Sequence, residues 1–194
     1  MNLALIFAGG TGTRMNSKTK PKQFLELNGK PIIIHTIELF ESHPEIDAIA
    51  VVCLESWIGY LNELLERFRI KKVKYVVPGG ETGQQSIRNG LTAFWDDQDI
   101  PRDSLVLIHD GVRPLINEDI ITRSIECAKQ YGNAITVTPA IETIITVSED
   151  DSVDQIMDRS KCRMARAPQT FRLCDIVEAH NKAIADGALN MIDS

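Results

Sequence analysis

A chain of 194 residues with a formal charge of −6, 43% hydrophobic and 25% charged residues, has the size and balance of one ordinary α/β domain. The acidic balance excludes a general nucleic-acid or membrane-surface binder, since both need an extended basic face, and the longest apolar runs are strand-sized, too short to cross a bilayer as a helix. The opening residues lack the charged region, apolar core and cleavage site of a secretory leader, so secretion is not expected; Cys53, Cys127, Cys162 and Cys174 form no Cys-x-x-Cys pair and read as reduced, buried small hydrophobes of a cytoplasmic protein.

Leu3-Ala4-Leu5-Ile6-Phe7 reads as a buried first strand. The small-residue turn Ala8-Gly9-Gly10-Thr11-Gly12-Thr13 follows, and side chains this small let backbone N–H groups come close to an anion. Residues 1–30 hold five cations (Arg14, Lys18, Lys20, Lys22, Lys30) against one acid, Glu26; this segment is +4 and the rest of the chain −10. A local cationic pocket in an anionic protein points to a small, highly charged ligand such as a nucleoside triphosphate. Neither common phosphate-loop template is met. Gly-Lys-Ser/Thr is missing, and Met15 stands where a dinucleotide fingerprint has its third glycine.

Phe24 to Leu27 reads as an extended piece with Asn28-Gly29 as its turn, and Pro31 opens a helix to about Ser42. Asp47 to Leu54 is the second parallel strand. A helix over about 56–68 carries Trp57, Tyr60, Leu61, Leu64 and Leu65 as a core stripe. Val73 to Val77 is a third strand, closed by the second glycine-rich turn, Gly79-Gly80-Glu81-Thr82-Gly83. Ser86 is expected to open the following helix, to Trp95, and to cap it or reach a ligand. Leu105 to Asp110 is a central strand that delivers a carboxylate to the carboxyl-end edge, where ligands of open parallel sheets gather. Asp110 is placed to hold Mg²⁺ against phosphates, or to pair with Arg113 or cap the next helix; His109 beside it reads as structural. Asn117 caps a helix to Tyr131, and a strand runs from Asn133 to Thr138. Thr143–Val147 and Val153–Met157 form a hairpin around an acidic turn, and Leu173 to Asp186 is the last helix, ended by Gly187.

Ala8-Gly9-Gly10-x-Gly12-x-Arg14-Met15, followed by Pro21-Lys22-Gln23 and later by His109-Asp110-x-x-Arg113-Pro114, resembles the sugar-nucleotidyltransferase superfamily. Within it, nearly the whole chain is similar to the cytidylyltransferases acting on 2-C-methyl-D-erythritol 4-phosphate or D-ribitol 5-phosphate. The resemblance implies a single Rossmann-like, GT-A-like domain over 1–194, with a mostly parallel sheet flanked by helices. It also implies a protruding hairpin arm at about 140–162 that pairs two subunits as a homodimer. Phe7, Ala8, Gly9, Gly10, Thr11, Gly12, Gly79, Gly80, Glu81, Ser86 and Asp110 would then hold CTP. Arg14 and Lys22 would be catalytic, Asp110 would carry Mg²⁺, and Arg159 with Thr143 would position the acceptor.

The implied partners are CTP and a sugar-alcohol phosphate, with no nucleic acid and no membrane. Relatives often have Asp-Arg after the paired glycines, whereas Glu81-Thr82-Gly83 stands here. They also continue about forty residues further, with an Asn-Ile-Lys motif and a second metal-binding acid, so an incomplete chain is expected. Ile141-Glu142-Thr143 and the Pro78-to-Gln84 turn look more like the ribitol-phosphate branch, whose product CDP-ribitol feeds wall teichoic acid or capsule synthesis. The methylerythritol branch stays open as the alternative. From other classes, so do a nucleotide-sensing protein without turnover and a dinucleotide-dependent oxidoreductase.

Overall fold

The computed structural model describes residues 1–9 and 20–187. Its centre is a six-stranded sheet of β1 (Asn2–Ala8), β4 (Ala48–Cys53), β5 (Val73–Pro78), β6 (Leu105–Asp110), β7 (Asn133–Pro139) and β10 (Arg163–Arg172). The spatial order is β5-β4-β1-β6-β10-β7. The first four strands are parallel, and β10 runs antiparallel between β6 and β7. Five helices flank it: α1 (Ile32–Ser42), α2 (Ile58–Arg67), α3 (Gly83–Trp95), α4 (Glu118–Tyr131) and α5 (Leu173–Ala185). A short hairpin of β2 (Glu26–Leu27) and β3 (Lys30–Pro31) precedes α1, and a second of β8 (Ile145–Val147) and β9 (Val153–Ile156) lies outside the main sheet.

The central strands read as unbroken apolar runs because both faces are covered. Ala4 and Ile6 of β1 join the core under α1, α2 and α4, while Leu3 and Leu5 join the one under α3. In α2 the expected stripe is core: Leu61, Leu64 and Leu65 are buried, and Trp57 and Tyr60 lie against Phe24, with ring centroids 4.9 and 5.4 Å away. Asn117 caps α4 by accepting from the Ile120 N–H at 3.0 Å, and Gly132 takes the left-handed conformation beyond its end.

Two expectations need correction. The extended piece at 24–27 begins instead as a 3₁₀ turn over Lys22–Phe24 and becomes strand only at Glu26. The helix expected from Ser86 starts at Gly83, because the Thr82 hydroxyl accepts from the Gln85 N–H at 3.1 Å and supplies the cap. The stretch Arg163–Arg172, to which no element was assigned from the sequence, is a long strand of the sheet. The cysteines are all free, as expected of thiols, but only Cys53 is buried, and burial pushes its pKa up to about 11. Among the described residues, no helix is long and apolar enough to cross a membrane.

Candidate active site

Parallel pairing brings the carboxyl ends of β1, β4, β5 and β6 to one edge. Phe7 lies opposite Asp110, Ala8 opposite Cys53, and Cys53 opposite Pro78. The two glycine turns therefore meet. A methyl group on Gly79 would stand 3.1 Å from the Gly9 Cα and 3.3 Å from the Ser86 hydroxyl oxygen, and one on Gly9 3.0 Å from that hydroxyl, so a side chain at either glycine would push the two turns apart. The Ser86 hydroxyl fixes this approach: it accepts from the Gly80 N–H at 3.0 Å and donates to the Thr82 carbonyl at 2.9 Å. It ties the turn to the first turn of α3 and does not cap that helix.

Above the turns opens a cleft of about 390 Å³. Of the residues expected to hold nucleotide, Phe7, Ala8, Gly9, Gly80, Glu81, Ser86 and Asp110 line it, with Lys22 on the wall and Gly79 against Gly9. Gly10, Thr11, Gly12 and Arg14 lie outside the described residues. The sequence reading gave no role to Gln23 or Thr82, which also line the cleft. Gln23 is buried and donates from Nε2 to the Ala8 carbonyl at 2.8 Å, which anchors the Lys22 segment to the end of β1. Its place in Pro21-Lys22-Gln23, directly beside a candidate cation, was the available signal.

Of the five cations counted over residues 1–30, Arg14 and Lys18 lie outside the described residues and Lys22 lines the cleft. Lys20 reaches Tyr60 Oη at 3.1 Å and Glu26 at 3.9 Å, and Lys30 pairs with Glu38 at 2.5 Å. Among the described lining residues, one cation, Lys22, faces two acids, Glu81 and Asp110. A triphosphate bound here needs further positive charge close by.

Asp110 ends β6 with its side chain partly exposed. One carboxylate oxygen accepts from the Val112 N–H at 3.0 Å and the other faces Arg113 Nε at 3.2 Å. The pairing weighed against a metal role is thus present, yet each oxygen keeps lone-pair capacity toward the cleft. Among the described residues no three His, Cys, Asp or Glu side chains converge. A lone carboxylate suits a hard cation such as Mg²⁺, which takes one or two protein oxygens and completes its shell with phosphate and water; a thiolate- or imidazole-rich metal site does not fit.

His109 is fully buried behind Asp110, 5.3 Å from the Phe40 ring centroid, with Nε2 3.0 Å from the Arg113 carbonyl. Burial lowers its pKa below the ordinary 6.5, and it does the same at His180. A neutral ring donates from Nε2–H to that carbonyl. Both groups bind protons more readily when unfolded, so their stabilisation is present above pH 6.5 and is lost as the pH falls through their folded pKa values. We expect an NMR titration to show the His109 imidazole taking up its proton at lower pH than an ordinary histidine, while the thermal midpoint falls on acidification. A His109 ring that titrates at or above the ordinary 6.5 would contradict this.

Arg159 and Thr143 are not brought to the cleft. Arg159 donates to the Ile141 carbonyl at 3.0 Å, at the base of the β8–β9 hairpin, and Thr143 is exposed just before β8. Neither lines the cleft within one chain.

Comparison with known proteins agrees with this geometry. The family described as IspD: 2-C-methyl-D-erythritol 4-phosphate cytidylyltransferase matches residues 2–194. A ribitol-5-phosphate cytidylyltransferase of Vibrio parahaemolyticus is 56% identical over 194 residues, covering 100% of this chain and 81% of that one. One from Streptococcus agalactiae is 50% identical, covering 100% and 80%. The crystal structure of 4-diphosphocytidyl-2C-methyl-D-erythritol synthase from Anaerococcus prevotii superposes with a TM-score of 0.81 at 25% identity, over 98% of this chain and 78% of that one. With a cleft built from two apposed glycine turns and a strand-end aspartate, and with a match along its whole length, the chain belongs to the IspD family of cytidylyltransferases and is a nucleotidyltransferase.

Proposed function

We propose that this enzyme transfers CMP from CTP to D-ribitol 5-phosphate, giving CDP-ribitol and pyrophosphate. The observation that carries the acceptor is the 56% identity to the Vibrio ribitol-5-phosphate enzyme across the full chain. An oxygen of the acceptor's phosphate attacks the α-phosphorus of CTP, a new P–O bond forms, and the bond from the α-phosphorus to the bridging oxygen breaks on the opposite side. The electron pair leaves with pyrophosphate. The attacking phosphate is already ionised, so no general base and no covalent enzyme intermediate are required. Alignment and charge neutralisation are the protein's main tasks.

The turns at Gly9 and Gly79-Gly80 present backbone to the nucleotide, while Lys22 and Arg14 neutralise the crowded phosphorus. Asp110 would hold Mg²⁺, which supplies charge neutralisation at the phosphates when bound. This requirement agrees with the surplus of acid among the described lining residues. CTP supply puts the reaction in the cytoplasm, and CDP-ribitol would serve teichoic acid or capsule synthesis.

Ile145, Val147, Val153 and Ile156 of the β8–β9 hairpin are all at least 45% exposed. An apolar hairpin of this kind is a suitable surface for a second copy of the chain. Arg159 and Thr143 lie at the base of this hairpin, so any part they take in positioning the acceptor would depend on such a homodimer. The rival acceptor is 2-C-methyl-D-erythritol 4-phosphate, the substrate in the family's own name. A pyrophosphate-release screen of four nucleoside triphosphates against both acceptors decides between them. CTP with ribitol 5-phosphate is expected to win, and preferential use of the methylerythritol compound would overturn the assignment.

A further inference from the structure

A second, smaller cavity of about 230 Å³ shares Phe7 and Asp110 with the nucleotide cleft and is also lined by Arg113, Arg166 and Gln169. Resting on the nucleotidyl-transfer reading above, we propose that Arg166 is an acceptor-binding residue whose guanidinium takes the phosphate of the sugar-alcohol phosphate.

The sheet puts Arg166 there. Strand β10 pairs with β6 from Gln169 onward, and its ladder with β7 breaks between Ala165 and Gln169. Residues 166–168 therefore belong to neither ladder. Because β10 is antiparallel to β6, this unpaired stretch passes just beyond the carboxyl end of β6, beside Asp110. The charge balance differs from that of the nucleotide cleft. The described residues of this cavity bring two guanidinium groups against one carboxylate.

Arg113 is already engaged, its Nε facing Asp110 at 3.2 Å. Arg166 pairs with no carboxylate among the described residues, and its hydrogen bond to the neighbouring Ala165 carbonyl is a long one of 3.3 Å. A planar fork of donors without an acidic partner, opening on the cavity that adjoins the nucleotide site, matches a phosphate dianion. The shared wall of Phe7 and Asp110 means that a phosphate held there stands next to the nucleotide's phosphates, as an attacking group must.

The test is steady-state kinetics of the complete protein and its Arg166→Met and Arg166→Lys variants. Arg166 is exposed, so folding is not at stake. For Arg166→Met, KM for ribitol 5-phosphate should rise about tenfold to a hundredfold, the loss of a charge-assisted contact. KM for CTP should stay within about twofold, and Arg166→Lys should recover part of the loss. Inorganic phosphate should inhibit the wild type competitively with the acceptor and inhibit Arg166→Met more weakly. An acceptor KM within twofold of wild type, or an equal rise in both KM values, overturns the role of Arg166. Failure of the wild-type protein to release pyrophosphate with any acceptor overturns instead the reaction on which the inference rests.

Discussion

Lys22→Ala is expected to lower turnover about a hundredfold, roughly 3 kcal/mol of transition-state stabilisation, while leaving the fold intact. Lys22 begins a 3₁₀ turn whose next two residues are fixed. Gln23 is hydrogen-bonded to the Ala8 carbonyl at 2.8 Å, and Phe24 is fully buried and stacked on Trp57. The backbone carrying Lys22 is thus held against the end of β1, which confines the ammonium to the neighbourhood of the cleft. No acid pairs with Lys22 among the described residues, so alanine breaks no ion pair there. Charge that develops on a five-coordinate phosphorus is what a positioned ammonium stabilises, and it is stronger in the transition state than in bound CTP. The loss should accordingly fall on kcat more than on KM for CTP. The check is the rate of pyrophosphate release beside the thermal midpoint. Turnover within a factor of two of wild type would remove Lys22 from the mechanism.

That prediction was legible in the sequence because a parallel strand writes itself plainly. Leu3 to Phe7 and Leu105 to Ile108 are apolar without interruption since helices cover both faces, and the turn residues that follow mark the carboxyl edge. Two glycine turns and one aspartate at strand ends were therefore enough to locate the cleft.

Other parts were hidden for physical reasons. Strand β10 carries Arg163, Arg166 and Arg172 together with Pro168, and strand patterns do not contain proline except at edges and breaks. Its place in the sheet comes from its neighbours β6 and β7, and Pro168 sits where the ladder with β7 is interrupted. The start of α3 was misplaced because Gly83 looks like turn, yet Thr82 supplies the cap one residue earlier. Counting cations over residues 1–30 could not say that Lys20 would turn to Tyr60 on α2 and Lys30 to Glu38 on α1, since those choices belong to helices outside the counted segment. The cavity beside Asp110 was invisible for the same reason as β10, which forms one of its walls.

Asp110→Asn is the other change expected to be large, and it separates two roles that one carboxylate can play. As a structural group, Asp110 accepts from the Val112 N–H and pairs with Arg113. Asparagine keeps an acceptor oxygen for the first contact and loses only the charge in the second. That pair is more than half exposed on the arginine side and about a fifth exposed on the aspartate side, so its loss should cost no more than about 1 kcal/mol of stability. As a metal ligand, the same side chain would lose the anionic oxygen that a hard divalent cation prefers. The described part of the cleft offers no group of three ligating side chains to compensate. Turnover should then fall about a hundredfold or more, as for loss of a principal electrostatic stabiliser. The magnesium concentration giving half-maximal rate should move upward, and the thermal midpoint should change little. If Asp110→Asn instead turned over within twofold of wild type with an unchanged magnesium midpoint, Asp110 would be the partner of Arg113 and nothing more. The cation that balances a triphosphate against Glu81 and Asp110 would then have to come from elsewhere in the protein.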